Sequence, residues 1–163
     1  MCSQIFKTAI PKEILNKLLD HIAIKSEKCY ILNNNCYKKG LFNKIYQLVR
    51  NYTLFSKRKL ISDFTNISSG SILDYGCGTG AFISHMKNAR WKITGIEQDD
   101  DARGTASQIT GQYILKPSDV SVFSASNFDV ITLWHVLEHI HDLDNVLTEF
   151  SRLLSKNGIL VIA

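Results

Sequence analysis

Leu73-Asp74-Tyr75-Gly76-Cys77-Gly78-Thr79-Gly80 is the stretch on which the fold turns. Ser71–Tyr75 is a short apolar run of strand character that leads straight into three alternating glycines, and Gly80–Ala89 continues at helical spacing. Glycines at those positions let the backbone turn tightly, admit a ligand closely and start a helix hard against the sheet. Glu97 follows 17 residues past Gly80, at the end of a second strand over Trp91–Glu97. A carboxylate at a strand end beside such a turn can accept both hydroxyls of a ribose. The turn and the acid together point to a nucleoside-binding site at the carboxyl ends of a parallel sheet.

Working outward, Asp100–Ile109 reads as a helix opened by the acidic run Asp99-Asp100-Asp101, which suits a positive helix N-terminus. Gln112–Leu115 reads as a short third strand and Phe128–Leu133 as a fourth. Leu143, Val146, Leu147, Phe150, Leu153 and Leu154 share one helical face, which Asn157-Gly158 is predicted to end, and Ile159–Ile162 opens a fifth strand. Strands and helices alternating at this spacing predict a doubly wound parallel α/β sheet with helices on both faces. The chain stops inside its most apolar strand, so the reading is of a domain truncated after its fifth strand.

Upstream of Gly70 the pattern is helical. Pro11 suits a first helical turn, and Ile14, Leu15, Leu18, Leu19 and Ile22 follow at helical spacing. Asn33-Asn34-Asn35 reads as a loop. Leu41, Ile45, Leu48 and Val49, then Leu60, Ile61 and Phe64, form further helical stripes, with a join placed near Asn51–Ser56. The boundaries are therefore 1–66 for a helical cap region and 67–163 for the α/β domain.

The 163 residues carry a formal charge of +4, which hides an asymmetric layout. Residues 1–66 hold 12 basic and 4 acidic groups, and residues 67–163 hold 7 and 11. A basic front of this kind serves as a solvated helix face, a partner for the acidic half or a phosphate contact. Composition excludes collagen-like, low-complexity and wholly disordered chains. No transmembrane run or secretory leader is evident, which gives a cytoplasmic reading. The cysteines Cys2, Cys29, Cys36 and Cys77 form no CxxC pair, so zinc is not expected.

The ligand class follows from what surrounds the glycines. A dinucleotide site would show G-x-G-x-x-G with a pyrophosphate at the helix N-terminus. Here the spacing is G-x-G-x-G and Asp74 stands before it, a charge that repels a pyrophosphate and attracts an amino group or a sulfonium.

Leu73–Gly80, Gly95-Ile96-Glu97 and the run Phe128–His139 resemble the successive motifs of class I S-adenosylmethionine-dependent methyltransferases. The nearest branch is the small-molecule group that includes ubiquinone-biosynthesis O-methyltransferases. The resemblance covers residues 40–163 and implies a Rossmann-like sheet of order 3-2-1-4-5-7-6, of which this chain supplies five strands, under a cap of N-terminal helices. It implies S-adenosyl-L-methionine as cofactor and a small-molecule or lipid-like acceptor. Carried over, it sets Asp74 near the methionine end, Gly76, Gly78 and Gly80 beneath the cofactor, and Glu97 on the ribose. Gln98 would flank the adenine, Asp119 would reach the adenine amine, and Trp134 and His135 would border the methionine portion and the acceptor. Arg50-Asn51-Tyr52-Thr53 would line the cap.

A sulfonium methyl is already electrophilic, so in-line attack needs chiefly alignment and exclusion of water. His135 is the candidate base, with His139 four residues on. The two histidines with Glu138 between them lack a third ligand, so no metal is expected. Two other functions fit less well. Methylation of RNA or protein would use the basic front for docking, but Leu133-Trp134-His135-Val136 stands where amino-methylating nucleic-acid enzymes carry an asparagine-proline-proline-aromatic motif. A non-catalytic nucleoside-binding regulator is the other alternative, and the intact Asp74, glycine turn and Glu97 oppose loss of cofactor binding.

Overall fold

The computed structural model describes residues 36–163. The helix at Pro11–Ile22 and the Asn33–Asn35 loop lie outside the described residues. The first described element, α1, is a single helix over Cys36–Thr65. The join placed near Asn51–Ser56 is therefore corrected: the helix runs through it unbroken, and the Thr53 hydroxyl donates back to the Val49 carbonyl at 3.0 Å, satisfied within the helix. The chain divides into two compact units between Ser56 and Lys57, so the last turns of α1 belong with the sheet.

The sheet is built from β1 (Ser71–Tyr75), β2 (Lys92–Ile96), β3 (Phe128–Leu133) and β4 (Leu154–Ile162). Its order is β2-β1-β3-β4 with every pair parallel. The helices are α2 (Ala81–Asn88), α3 (Asp100–Thr110) and α4 (Leu143–Leu153), with 3-10 turns at Pro117–Val122 and Leu137–His139. Period-two alternation sorts the strand side chains onto two faces. Leu73, Ile131 and Leu133 turn toward Phe150 and Leu153 of α4 and share one buried cluster with them. The opposite face carries Ile72, Val130, Asp74 and Thr132, aligned in pairs by the β1–β3 register. Phe82, Ile83 and Met86 of α2 are buried as well, and each such side chain contributes about 1.5–3 kcal/mol on leaving water. Helices thus cover both faces, the doubly wound architecture that the alternating pattern implied.

Two expectations are corrected. Gln112–Leu115 is not a strand, because only Leu115 bridges to Ile96. Gly111 ends α3 in the left-handed region and Pro117 opens a 3-10 turn, which leaves room for one ladder step between them. The fourth helix ends at Leu153, not at Asn157-Gly158, and β4 begins at once. Asn157 and Gly158 lie in an irregularity where pairing jumps from Phe128–Leu154 to Val130–Ile159. Gly158 is needed there: a Cβ would come within 3.0 Å of the Phe128 carbonyl oxygen. The described sheet accordingly has four strands.

The strand starts are pinned by Asp129, whose carboxylate accepts from the Ser71 amide at 2.8 Å and the Ser71 hydroxyl at 2.9 Å. These bonds hold its carboxyl below the usual range. That anchor fixes the register which brings Asp74 opposite Thr132 at the other end. No helix among the described residues is long and apolar enough to cross a membrane.

Candidate functional site

The site forms where β1, β2 and β3 release the chain at their carboxyl ends. Gly76, Gly78 and Gly80 all have positive φ, of 78°, 54° and 80°. At Gly76 a side chain is excluded by space as well as by conformation, since a Cβ would sit 2.4 Å from Val136 Cγ2. Gly80 is similarly tight: a Cβ would lie 2.9 Å from that of Ala106 on α3. At Gly78 a Cβ would meet nothing within 4 Å, so the middle of the turn borders open space. The turn is held against β2 by the Gly76 and Cys77 amides, which both donate to the Ile96 carbonyl at 2.8 and 2.9 Å.

Glu97 closes this cradle. Its carboxylate accepts from the Gly78 amide at 2.7 Å and from the Asp99 amide at 3.0 Å. Each oxygen keeps a further lone pair, so the same carboxylate can accept from a vicinal diol. Asp99 caps α3 by accepting from the Ala102 amide at 2.8 Å, as the acidic run implied. Arg103, which reads from sequence as a residue of this helix with no specific acceptor role, adds a support. Its guanidinium donates to the carbonyls of Glu97 at 3.0 Å and Gln98 at 3.2 Å, and it pairs with Asp100. Its i, i+3 spacing from Asp100 was the available signal.

Asp74 is only 2% exposed. Burial pushes its carboxyl up from 3.8 to about 6, while the Thr132 hydroxyl and the Lys57 charge pull it back and Glu97 pushes it further up. Thr132 donates to it at 2.6 Å. The same burial, with the charges of Asp74 and Glu97, pushes the Cys77 thiol up to about 12. Cys77 therefore stays protonated and serves as a small buried side chain. The field at this strand end is negative.

Trp134 and His135 follow β3. The Trp134 ring meets Phe82 edge to face at 5.4 Å between centroids, and its buried Nε1 has no hydrogen-bond partner. Phe82 and Trp91 are packing residues, 5% and 3% exposed. His135 stands in the left-handed region at φ 58°, and its amide donates to the Ala163 carbonyl. A non-glycine residue there stores strain of about 1–3 kcal/mol.

A cavity of about 690 Å³ opens between these groups. Gly76, Glu97 and Gln98 face it from the β1–β2 side, and Trp134, His135 and His139 from beyond β3. Asp74, Gly78 and Gly80 are not part of that wall. Asp119 is not on the wall: its carboxylate accepts from the Lys116 amide at 3.0 Å and the Ser118 hydroxyl at 3.1 Å, closing the 3-10 turn on itself. His141 is exposed and lines the cavity. Among the described residues no three His, Cys, Asp or Glu side chains are grouped as a metal ion requires.

Lys57, from the last turns of α1, was also missed. Its Nζ lies 4.2 Å from the Trp134 ring centroid and 5.7 Å from that of Phe82. In sequence it belongs to the run Lys57-Arg58-Lys59, which looks like a solvated face. The signal was its position one turn before Ile61, which is fully buried.

Comparison with known proteins gives a consistent picture. A family model described as a methyltransferase domain matches residues 46–163. A ubiquinone biosynthesis O-methyltransferase of Pelagibacter ubique is 31% identical over 120 residues, covering 67% of this chain and 50% of that protein. The chain thus spans about half the length of the curated relatives it matches. Among solved structures, a Pyrococcus horikoshii protein superposes with a TM-score of 0.60 at 18% identity, covering 69% of this chain and 53% of that one. A TehB-like methyltransferase of Corynebacterium glutamicum gives 0.56 at 23% identity over 74% of this chain and 70% of its own. The shared fold is the class I methyltransferase fold.

Proposed function

The chain belongs to the methyltransferase domain family, and on that premise we propose that residues 67–163 bind S-adenosyl-L-methionine and serve methyl transfer to a small-molecule or lipid-like acceptor. The observation that carries this reading is the coupling of the glycine turn to Glu97 through the Gly78 amide. The residues fit the cofactor by their chemistry. Glu97 retains acceptor capacity for a ribose, Gly78 borders open space, and Asp74 is a buried carboxyl group that accepts from one hydroxyl and is drawn to positive charge. When bound, the cofactor supplies an electrophilic methyl on a sulfonium.

The chain's own residues divide the work. Gly76, Gly78 and Gly80 admit the cofactor to the backbone, and Glu97 with Gln98 orients the nucleoside. Asp74 draws the cationic methionine end toward β1, and Trp134 walls that end from water. His135 faces the cavity from a strained backbone position and is the group proposed to take a proton from the acceptor. The O-methyltransferase named in relatives suggests hydroxyl acceptors as the first to try.

Isothermal titration tests the reading. S-adenosylmethionine and S-adenosylhomocysteine are expected to bind the chain, and NAD is not. Binding of NAD in preference to both would overturn the assignment.

A further inference from the structure

Lys57 is set in the site in a way that the methyl-transfer reading does not use. Its ammonium lies on the face of Trp134 and near that of Phe82, with Asp74 close enough to be felt electrostatically. Three elements supply that surround: β1 gives the buried carboxylate, α2 gives Phe82, and the segment after β3 gives Trp134. An aromatic face attracts a cation through its quadrupole, and a buried carboxylate does so through its charge. Together they form a seat for positive charge, and Trp134 carries that seat to the cavity wall. Burial lowers the Lys57 ammonium and the Asp74 charge raises it, as expected for a lysine held in a partly dry place by electrostatics.

We infer that Lys57 is a tethered cation in the seat that receives the cationic end of the ligand, and that its charge sets how strongly the site distinguishes a sulfonium donor from the neutral thioether it becomes. This inference rests on the proposed cofactor. Asp74 attracts any cation that enters, and Lys57, which shares its surroundings, repels it. The repulsion falls on a sulfonium and spares a thioether. Lys57 therefore weakens donor binding relative to product binding, and it favours loss of the positive charge from sulfur. At an effective dielectric of ~40–80, a like charge at the several-ångström spacing of neighbouring groups gives roughly a threefold to tenfold bias. Lys57 is a specificity-determining residue on this reading, not the base.

The test is a pair of titrations on the full chain with S-adenosylmethionine and S-adenosylhomocysteine as probes. In Lys57→Met the ratio of Kd for the thioether to Kd for the sulfonium is expected to rise roughly threefold to tenfold. Lys57→Arg keeps the charge and should keep the wild-type ratio. An unchanged ratio in Lys57→Met overturns the inference. Equal weakening of both ligands also overturns it, because that would make Lys57 an anchor for the carboxylate that both share. If wild type binds neither probe, the cofactor reading itself fails, a result distinct from either. Should Lys57→Met fold poorly, Lys57→Gln is held to the same ratio criterion.

Discussion

Asp74→Asn should make the protein more stable at pH 8 while weakening its hold on a cationic ligand. Asp74 is 2% exposed, and burial raises its carboxyl from 3.8 to about 6. An acid whose folded-state value is raised binds its proton more tightly when folded. Stability therefore falls as pH climbs from 3.8 to about 6 and levels off above that. The displacement corresponds to roughly 3 kcal/mol at the plateau, relative to the fully protonated state. Asparagine has the shape of the neutral acid and keeps an oxygen for the Thr132 hydroxyl, but it deprives Lys57 of its neighbouring carboxylate. The net gain at pH 8 is then about 1–2 kcal/mol. Urea unfolding of both proteins from pH 5 to pH 8 measures it. The wild-type deficit should widen by about 1.4 kcal/mol across that range, because about half of the loss already falls below pH 5, where the unfolded carboxyl ionises and the folded one does not. Groups that Asp74 does not touch titrate alike in both proteins and cancel in the difference, whereas Lys57 and Cys77 feel its charge. A variant no more stable than wild type at pH 8, or a gap independent of pH, would refute the account of Asp74 as a buried charge held at a cost in stability.

Glu97→Ala should weaken S-adenosylmethionine binding roughly tenfold to a hundredfold by calorimetry, the worth of one or two hydrogen bonds to a charged group; unchanged affinity would remove Glu97 from the ribose. Gly80→Ala places a methyl 2.9 Å from the Ala106 Cβ at φ 80°, so its unfolding midpoint should fall by the equivalent of about 2–4 kcal/mol. A midpoint within error of wild type would mean that α2 and α3 yield freely. His135→Gly relieves a left-handed backbone at φ 58° and should gain about 1 kcal/mol in denaturant unfolding. The same variant should lose single-turnover methyl transfer, and an unaffected rate would exclude His135 as the base.

The parts of the fold legible in sequence are those governed by local periodicity. β1 and β3 are runs whose apolar residues are buried on both faces, so a continuous hydrophobic stretch announces them without reference to any partner. Asp99 and the glycine turn are equally local, because a cap and a positive φ are properties of a few adjacent residues. The failures share one cause. Leu115 pairs with Ile96 while its neighbours do not, and nothing within Gln112–Leu115 says how many rungs the partner strand offers. Asn157-Gly158 carries a helix-stop signal, yet the helix had already ended at Leu153 and the glycine answers instead to the Phe128 carbonyl across the ladder. Turn chemistry identifies a residue that permits an unusual backbone; which element requires it is decided by a neighbour far away in sequence.

The same distinction governs the site. Asp74, Gly76 and Glu97 could be read from spacing because the turn joins them, whereas Lys57 gains its meaning from Phe82 and Trp134, 25 and 77 residues away. The structure also sharpens the argument against a dinucleotide. A pyrophosphate at a glycine turn depends on backbone amides pointing into an uncharged cradle at a helix N-terminus. Here the Gly78 amide is donated to Glu97, so an incoming phosphate would have to displace a carboxylate to reach it. Asp74 behind the turn adds to the same negative field, which, after burial, helps push the Cys77 thiol up to about 12. The formal +4 of the chain says little about this mouth, where Lys57 rests on the aromatic wall. A site that holds its own lysine on a ring face beside a buried carboxylate is a place where positive charge is stabilised, which is the property the proposed cationic nucleoside would use.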